Sequence, residues 1–314
     1  MSQPSMVGRA EAYLTLRRGL GFALAQEGRL LLSFARYADG QGDQGPLTTA
    51  LAMEWAKLSR NASPTRPARR LEVVRGFARH EAAQDIRTEV PPDGLLGSSR
   101  RRRGQPHIYS EGELAEIMRA AAALSPAGGL RPQTYATFFG LLASSGLRVS
   151  EAIRLTKADV DLGGGVLRVS ETKFRKSRLV PLHHSTTGAL VAYAVQRDRR
   201  HASPHAHAFF LDGRGFPLKY FTVKDLFADL RRGLNWVSHD GRRAPRIHDL
   251  RHTFACRRLL AWYQEDGDIN VKLPALSTYL GHVRVKDTYW YLTAIPDLMA
   301  VASARFERLA LGPR

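Results

Sequence analysis

The sequence predicts a mainly helical α+β protein of two domains, the second of which contains a small β-ribbon. Apolar residues recur at helical spacing through most of the 314 residues, whereas period-two alternation is concentrated within 166–182. A chain of this length, with 44% hydrophobic residues, can form two hydrophobic cores. We therefore expect a helical domain over 1–98, a linker over 99–105 and a second domain over 106–314.

The first domain is predicted to be a small basic helical bundle. Helical spacing predicts helices over 11–38, 48–59 and 67–84, with a break in the first helix at Gly19 and Gly21. No strand pattern occurs before residue 100. Several arginines of this domain are expected to face either DNA phosphates or solvent, and these are Arg66, Arg69, Arg70, Arg75 and Arg79.

The linker contains four consecutive arginines, Arg100, Arg101, Arg102 and Arg103. Their mutual repulsion and the lack of apolar periodicity argue against a packed element. We expect an extended segment that lies on DNA phosphates, and a plain flexible linker is the alternative.

The second domain is predicted to alternate helices with a short strand pair. A capping-box pattern at Ser110–Glu113 precedes its first helix. Helices are expected at 131–144, 148–156, 185–200 and 222–234, with strands at 166–169, 178–182 and 208–211. From His248 onward the chain is predicted to be almost entirely helical, and its last helix begins at Pro296.

The charge of the chain limits its function. Forty-seven Lys and Arg against twenty-nine Asp and Glu give a net charge of +18, which suits a nucleic acid or an anionic membrane surface. No apolar run reaches the roughly 18 to 20 residues that span a bilayer, and the N-terminus lacks a secretory signal pattern. Cys256 is the only cysteine, so an intramolecular disulfide is excluded. We expect a cytoplasmic protein that binds DNA or RNA.

The octapeptide HDLRHTFA at 248–255 contains a histidine and an arginine at a spacing suited to chemistry. On a helix, His248 and Arg251 project from the same face. Together they can transfer a proton and hold an anionic oxygen. For this pair alone, a solvated basic helix is the alternative.

Four further motifs have the same polar character. Arg148 follows Gly146 at the predicted start of a helix, where free backbone N–H groups favour an anion. Lys173 lies in the turn of the strand pair, and Gly281 is expected to set His282 at a helix start. The fourth motif is the tyrosine pair in DTYWYL at 287–292.

In this order the motifs resemble those of the tyrosine recombinases, or phage integrase family, over about 106–295. The segments that carry the resemblance are GLRVSEAIRL, TKFRKSRLVPL, HDLRHTFA and LGH. The family's nucleophile lies nine residues beyond the last histidine. The resemblance therefore implies the catalytic set Arg148, Lys173, His248, Arg251, His282 and Tyr291. The first domain resembles the family's core-binding domain only in being helical and basic.

Two positions in this set have competitors. Tyr289 and Tyr291 are about 200° apart on a helix, so only one of them can face the site. The spacing from His282 favours Tyr291. Lys176 competes with Lys173 because ribbon turns vary in length.

The resemblance implies cleavage of DNA through a 3′-phosphotyrosyl link on Tyr291. Arg148 and Arg251 would neutralise the phosphodiester, and His248 would exchange a proton with the phenol. His282 would donate to a phosphate oxygen, and Lys173 would protonate the departing 5′ oxygen. The sequence contains no P-loop or zinc-ligand spacing, and we expect no cofactor and no metal.

The predicted function is site-specific recombination for integration, excision or transposition of a mobile element. The expected partner is double-stranded DNA with a specific site, bound by a homotetramer or hetero-tetramer. A type IB topoisomerase and a non-catalytic DNA-binding accessory subunit are the alternatives.

Glu151 and Asp249 are expected to orient His or Arg or to act at helix ends, and His252 is expected to take no part in the chemistry. The apolar stripe at 296–311 packs either on a neighbouring protomer or on its own domain.

Overall fold

The computed structural model describes residues 4–42, 45–58, 64–99, 105–170, 177–201, 207–238, 243–265 and 268–291. The chain divides into two compact units, Met1–Arg103 and Gly104–Arg314. The arginine run at 100–103 and the predicted terminal helix at 296–311 lie outside the described residues. Within the described ranges, no helix has the length and apolar character needed to cross a bilayer.

The first unit is helical, and its described residues contain no strand, as predicted. Its helices are α1 (Met6–Gly19), α2 (Ala25–Gly40), α3 (Thr49–Lys57) and α4 (Arg66–Ala82). The segment predicted as one helix over 11–38 is two helices, and the predicted break is confirmed. Gly21 interrupts the helix at a φ of +88°, a value that glycine adopts at little cost.

Aromatic side chains form the centre of the first unit's core. Phe34 and Trp55 pack edge to face with their ring centroids 5.4 Å apart, and Phe77 is fully buried. The guanidinium of Arg70 lies 3.8 Å from the Trp55 ring centroid and donates a hydrogen bond to the Trp55 carbonyl. Arg70 therefore contributes to packing in addition to charge.

Arg75 corrects an expectation about the first unit. The sequence predicted that it faces phosphates or solvent, but its side chain is buried and donates to the carbonyls of Pro91 and Pro92 and to Asp93. Leu96 also packs against the core of this unit. The proline segment, which has the composition of a linker, is thus part of the first unit.

The second unit is mainly helical with one small sheet, which confirms the predicted fold class. Its helices are α5 (Glu111–Ala122), α6 (Leu130–Ser145), α7 (Val149–Arg154), α8 (His184–Arg200), α9 (Tyr220–Gly233), α10 (Asp249–Gln264), α11 (Ile269–Leu280) and α12 (Lys286–Tyr289). The predicted capping box is present, because Ser110 accepts from the Glu113 amide and the Glu113 carboxylate accepts from the Ser110 amide.

The sheet has three antiparallel strands in the order β1-β2-β3. They are β1 (Val160–Asp161), β2 (Val166–Val169) and β3 (Arg178–Pro181). Val169 pairs with Arg178, so the ribbon leads out to the segment 171–176, which lies outside the described residues. The strand predicted at 208–211 is wrong: Ala208 and Leu211 form only isolated bridges. The segment 208–211 is apolar because Phe209 and Phe210 fill the core.

The core of the second unit consists of two clusters of buried residues. The larger cluster centres on phenylalanines of α6 and of the 209–210 segment. The smaller cluster joins the apolar faces of α10 and α11, and it includes Cys256, Leu280 and Tyr291. Cys256 is buried, and this burial raises the pKa of its thiol to about 12, so it is an apolar core residue.

Candidate active site

Three arginine side chains converge on the C-terminal end of α11. The last carbonyls of a helix lack partners within the helix and carry the negative end of its dipole, so they attract cations. Arg178 Nε donates to the Tyr279 carbonyl at 2.7 Å, and Arg251 Nη2 donates to the Leu280 carbonyl at 2.6 Å. Arg148 Nη2 donates to the Gly281 carbonyl at 3.1 Å. This helix end therefore gathers three guanidinium groups into one small region.

Glu151 is the carboxylate that bridges two of these arginines. Its oxygens accept from Arg148 Nη1 at 2.7 Å and from Arg178 Nη2 at 2.9 Å. Burial by itself raises the pKa of Glu151, but the hydrogen bonds and charges of Arg178 and Arg148 outweigh it and lower the pKa to about 2. The cluster thus contains three guanidiniums and one carboxylate, and its excess positive charge can bind an anion.

A left-handed glycine fixes the position of Arg251. Gly146 ends α6 at a φ of +61°, and its carbonyl accepts from Arg251 Nη1 at 2.7 Å. A Cβ at this glycine would lie 2.5 Å from the Phe254 ring, so only glycine fits. Arg251 is 2% exposed, and its burial lowers its pKa to about 10. It remains a cation at neutral pH.

His248 and His282 lie at helix ends, one before and one after Arg251 in the sequence. His248 is the residue immediately before α10, and His282 follows Gly281, the left-handed residue that ends α11. The expectation that His282 starts a helix is therefore wrong, because α12 begins only at Lys286. Burial first, and then the charge of Arg251, lowers the pKa of each histidine to about 4. Both imidazoles are neutral at pH 7.

The structure brings Tyr291, and not Tyr289, to this cluster. Tyr291 is 3% exposed, and its phenol lies near enough to the Arg251 guanidinium for that cation to lower its pKa. Its ring stacks on that of His282 at a centroid distance of 5.9 Å. Tyr289 is 47% exposed. Burial raises the pKa of the Tyr291 phenol, and the charge of Arg251 partly offsets that effect.

Two residues of this site, Arg178 and Thr288, were not predicted from the sequence. Arg178 resembles an ordinary ribbon cation, and only the fold shows that it reaches Glu151 and α11. Thr288 is bonded to Nδ1 of His282 at 2.7 Å, a contact that fixes the imidazole. A Thr six residues after a His carries no signal of its own, because turns rather than one helix join them.

Two carboxylates were expected to orient His or Arg or to act at helix ends. Glu151 binds Arg148, as expected. Asp249 lies in the first turn of α10 and pairs with Arg246, whose Nη2 donates to it at 2.7 Å. Lys173 and its competitor Lys176 lie outside the described residues.

The arrangement suits an anion that gains charge during a reaction. Guanidiniums fixed in a buried region can hold the non-bridging oxygens of a phosphate and stabilise the charge of a five-coordinate phosphorus. The neutral imidazoles can donate or accept protons, and the phenol is a potential nucleophile. Among the described residues, no three His, Cys, Asp or Glu side chains converge as a metal site.

Comparisons with known proteins agree with this geometry. The model of the phage integrase family matches residues 109–296. The chain belongs to the phage integrase family, the tyrosine recombinases. This confirms the resemblance derived from the sequence motifs and assigns the chain to DNA recombination.

Relatives with this family's names extend over most of the chain. A candidate integrase/recombinase of Sinorhizobium fredii, y4rB, is 42% identical, and the match covers 95% of this chain and 96% of that protein. The tyrosine recombinase XerC of Pelotomaculum thermopropionicum is 31% identical over 71% of this chain and 69% of its own length.

Solved structures share the fold at low sequence identity. The integrase of transposon Tn1549, in complex with circular intermediate DNA, matches with a TM-score of 0.67 at 18% identity and covers 97% of this chain and 99% of that chain. Lambda integrase, solved as a tetramer on a Holliday junction, matches with a TM-score of 0.59 at 18% identity over 89% of this chain and 77% of that chain. Both comparisons show the fold.

Proposed function

We propose that this protein is a site-specific DNA recombinase that cleaves and rejoins strands through a 3′-phosphotyrosyl intermediate on Tyr291. The observation that carries the proposal is the buried phenol of Tyr291 beside Arg251, within a cluster of three guanidiniums. A nucleophile next to fixed cations is suited to attack on a phosphodiester. The protein would then act on double-stranded DNA, in the cytoplasm that the sequence predicted.

Arg148 and Arg251 are the proposed phosphate ligands, and they differ in burial and in the number of hydrogen bonds that already fix them. Arg251 is almost fully buried, with two of its nitrogens bound to carbonyls. The side chain of Arg148 is 32% exposed, so it can contact a ligand at the surface while Glu151 holds its other edge. Arg251 thus provides a fixed positive charge at the base of the site, and Arg148 provides a contact that a phosphate can reach from the surface.

The proposed proton transfers use groups that are neutral in the free protein. His248 would take the phenolic proton as the bond from the Tyr291 oxygen to phosphorus forms, and its depressed pKa keeps its lone pair available. His282 would donate to a phosphate oxygen. Lys173 is proposed to protonate the departing 5′ oxygen. The phosphotyrosyl link keeps the energy of the broken bond, so rejoining to another 5′ hydroxyl needs no external energy source.

The proposal extends to assembly and biological role. The Tn1549 integrase was solved with transposon-derived circular DNA, and lambda integrase was solved as a tetramer on a Holliday junction. By analogy, we propose a homotetramer or hetero-tetramer on two synapsed sites, acting in integration, excision or transposition of a mobile element. We also propose that the first unit, with exposed Arg66, Arg69 and Arg79, and the arginine run at 100–103 bind the DNA backbone.

The test is covalent capture of DNA. A library of randomised duplexes, each nicked at its centre in one strand, is incubated with the protein, and adducts that survive denaturation are isolated and sequenced. We expect the natural protein to select a common site. Tyr291→Phe should bind that site normally and form no adduct, because the ring remains and the attacking oxygen is lost.

Tyr289→Phe is the matched control, since its ring is exposed and only two residues away. It should form the adduct at the natural rate. An adduct with Tyr291→Phe, or its loss with Tyr289→Phe, would contradict the assignment. A non-catalytic subunit would shift the selected DNA without any adduct, and a topoisomerase would relax supercoiled DNA without joining strands from two sites.

A further inference from the structure

His252 lies beside Tyr291, although the sequence predicted no part for it in the chemistry. It is one helical turn after His248 on α10, and the two rings are 4.9 Å apart. Its ring centroid is also 5.5 Å from that of Tyr291 and 5.1 Å from that of Trp290. His252 therefore contacts both aromatic residues of the turn that carries the proposed nucleophile.

Within the described part of the chain, the buried Nδ1 of His252 has no hydrogen-bond partner. Other histidines of the same unit have ring nitrogens that are bonded. Nε2 of His107 lies 2.8 Å from the Glu113 carboxylate, and Nδ1 of His282 lies 2.7 Å from the Thr288 hydroxyl. A buried polar atom without a partner destabilises the folded protein, a cost that an apolar ring of similar size would avoid.

The nearby phenol is a suitable partner for this nitrogen. In the free protein the charge of Arg251 acts on the Tyr291 phenol, and a phosphate bound in the site would compete for the same guanidinium. The phenolic oxygen would then lose part of this stabilisation just as it begins to acquire negative charge. A neutral imidazole carries one N–H, and the tautomer with hydrogen on Nδ1 supplies a donor at this place. Hydrogen bonds of this kind often shorten only when the substrate is bound.

We propose that His252 donates a hydrogen bond from Nδ1 to the Tyr291 oxygen in the DNA-bound protein and thereby stabilises the developing phenolate. This role rests on the proposed function of Tyr291. It leaves the phenolic proton to His248, because the oxygen accepts from His252 through one lone pair while it attacks with another. Proton count and charge on His252 stay unchanged throughout.

The surroundings keep His252 neutral, as the role requires. Burial first, and then the neighbouring His248, lowers its pKa to about 3. The other charged and titratable groups around the histidine and the phenol are Arg148, Arg246, Asp249, Arg251, Cys256 and His282. Cations outnumber the single carboxylate in this set, which opposes protonation of the imidazole.

The experiment compares three substitutions on the duplex selected by covalent capture. His252→Phe keeps a ring and loses the donor. His252→Asn places an amide at the position of Nδ1, and His252→Gln places it near that of Nε2. The rate of adduct formation is measured in a single turnover as a function of pH, with DNA binding and thermal unfolding measured on the same proteins.

We expect His252→Phe to bind DNA normally, to unfold at no lower temperature, and to form the adduct about 10- to 100-fold more slowly near neutral pH. The loss should shrink at alkaline pH, where the phenol ionises without help. Asn should restore most of the rate, and Gln should not. A natural rate for Phe, no rescue by Asn, or an equal loss at every pH would each overturn the role. Absence of an adduct with the natural protein would instead overturn the proposed function.

Discussion

The two units each contain a buried arginine bound to backbone carbonyls, and their surroundings differ. Arg75 in the first unit is 8% exposed and donates to the carbonyls of Pro91 and Pro92. Arg251 in the second unit is 2% exposed and donates to the carbonyls of Gly146 and Leu280. In their burial and in their bonds to backbone carbonyls, the two side chains are alike.

The side chains around Arg75 and Arg251 distinguish the two arginines. Arg75 also pairs with Asp93, which neutralises its charge and completes a structural contact. Arg251 lies beside the Tyr291 phenol, and its charge lowers the pKa of that phenol and of both His248 and His282. A buried guanidinium therefore indicates a reaction site only when neutral bases and a nucleophile accompany it.

The largest expected effect tests this contrast directly. Arg251→Lys should slow adduct formation by about 10²–10³-fold, because one amine cannot hold two carbonyls and a phosphate oxygen in fixed directions. Arg75→Lys should leave the adduct rate per folded molecule unchanged and destabilise the first unit by about 2 kcal/mol. Single-turnover capture and chemical unfolding measure the two quantities. Equal effects of both substitutions on cleavage would remove the distinction.

Glu151 provides a test within the second unit. Glu151→Gln should destabilise this unit by about 3 kcal/mol at neutral pH, since it leaves Arg148 and Arg178 without their shared carboxylate. The folded pKa of Glu151 is about 2, below the usual value of 4.5. Its contribution is therefore complete above pH 4.5 and is lost as the pH falls toward 2. Urea unfolding across this range should converge for the natural and Gln proteins, and a constant difference would contradict the assignment.

The smallest expected effect concerns the glycine that fixes Arg251. Gly146→Ala should cost about 1–2 kcal/mol for its left-handed backbone and more for the contact with Phe254. Gly128→Ala is the control, because Gly128 has a φ of +69° and open space at its Cβ position. The free energy of unfolding should fall further for the Gly146 variant. If both variants lose the same free energy of unfolding, close packing against α10 is not the reason that glycine is required at position 146.

The sequence was sufficient for the fold class and for most of the candidate site. Helical periodicity predicted the main helices, and the capping box at Ser110 was visible because its residues are adjacent in the chain. The resemblance of five motifs, in their order and spacing, to those of the tyrosine recombinases predicted Arg148, His248, Arg251, His282 and Tyr291. The fold brings these residues to one cluster around the end of α11. Their catalytic roles, and that of Lys173, stay predictions.

Other features depended on contacts between residues far apart in the chain. Sequence periodicity could not show that Arg75 is buried, because its acceptors come from a proline segment with a linker's composition. Similarly, Arg178 lies 27 residues from Glu151, and only the pairing of β3 with its neighbours brings them together. The environment of His252 also depended on the position of the Tyr291 turn.

The sequence by itself determined which chemical groups this protein has and in what order, since local periodicity and motif spacing are properties of the chain. The tertiary structure alone decided which groups share an environment. Three arginines bind the end of α11 because unpaired carbonyls at a helix end need donors. Those donors come from the residue that precedes α7, from β3 and from α10. Burial in that cluster then keeps the histidines neutral and seats the phenol of Tyr291 against Arg251.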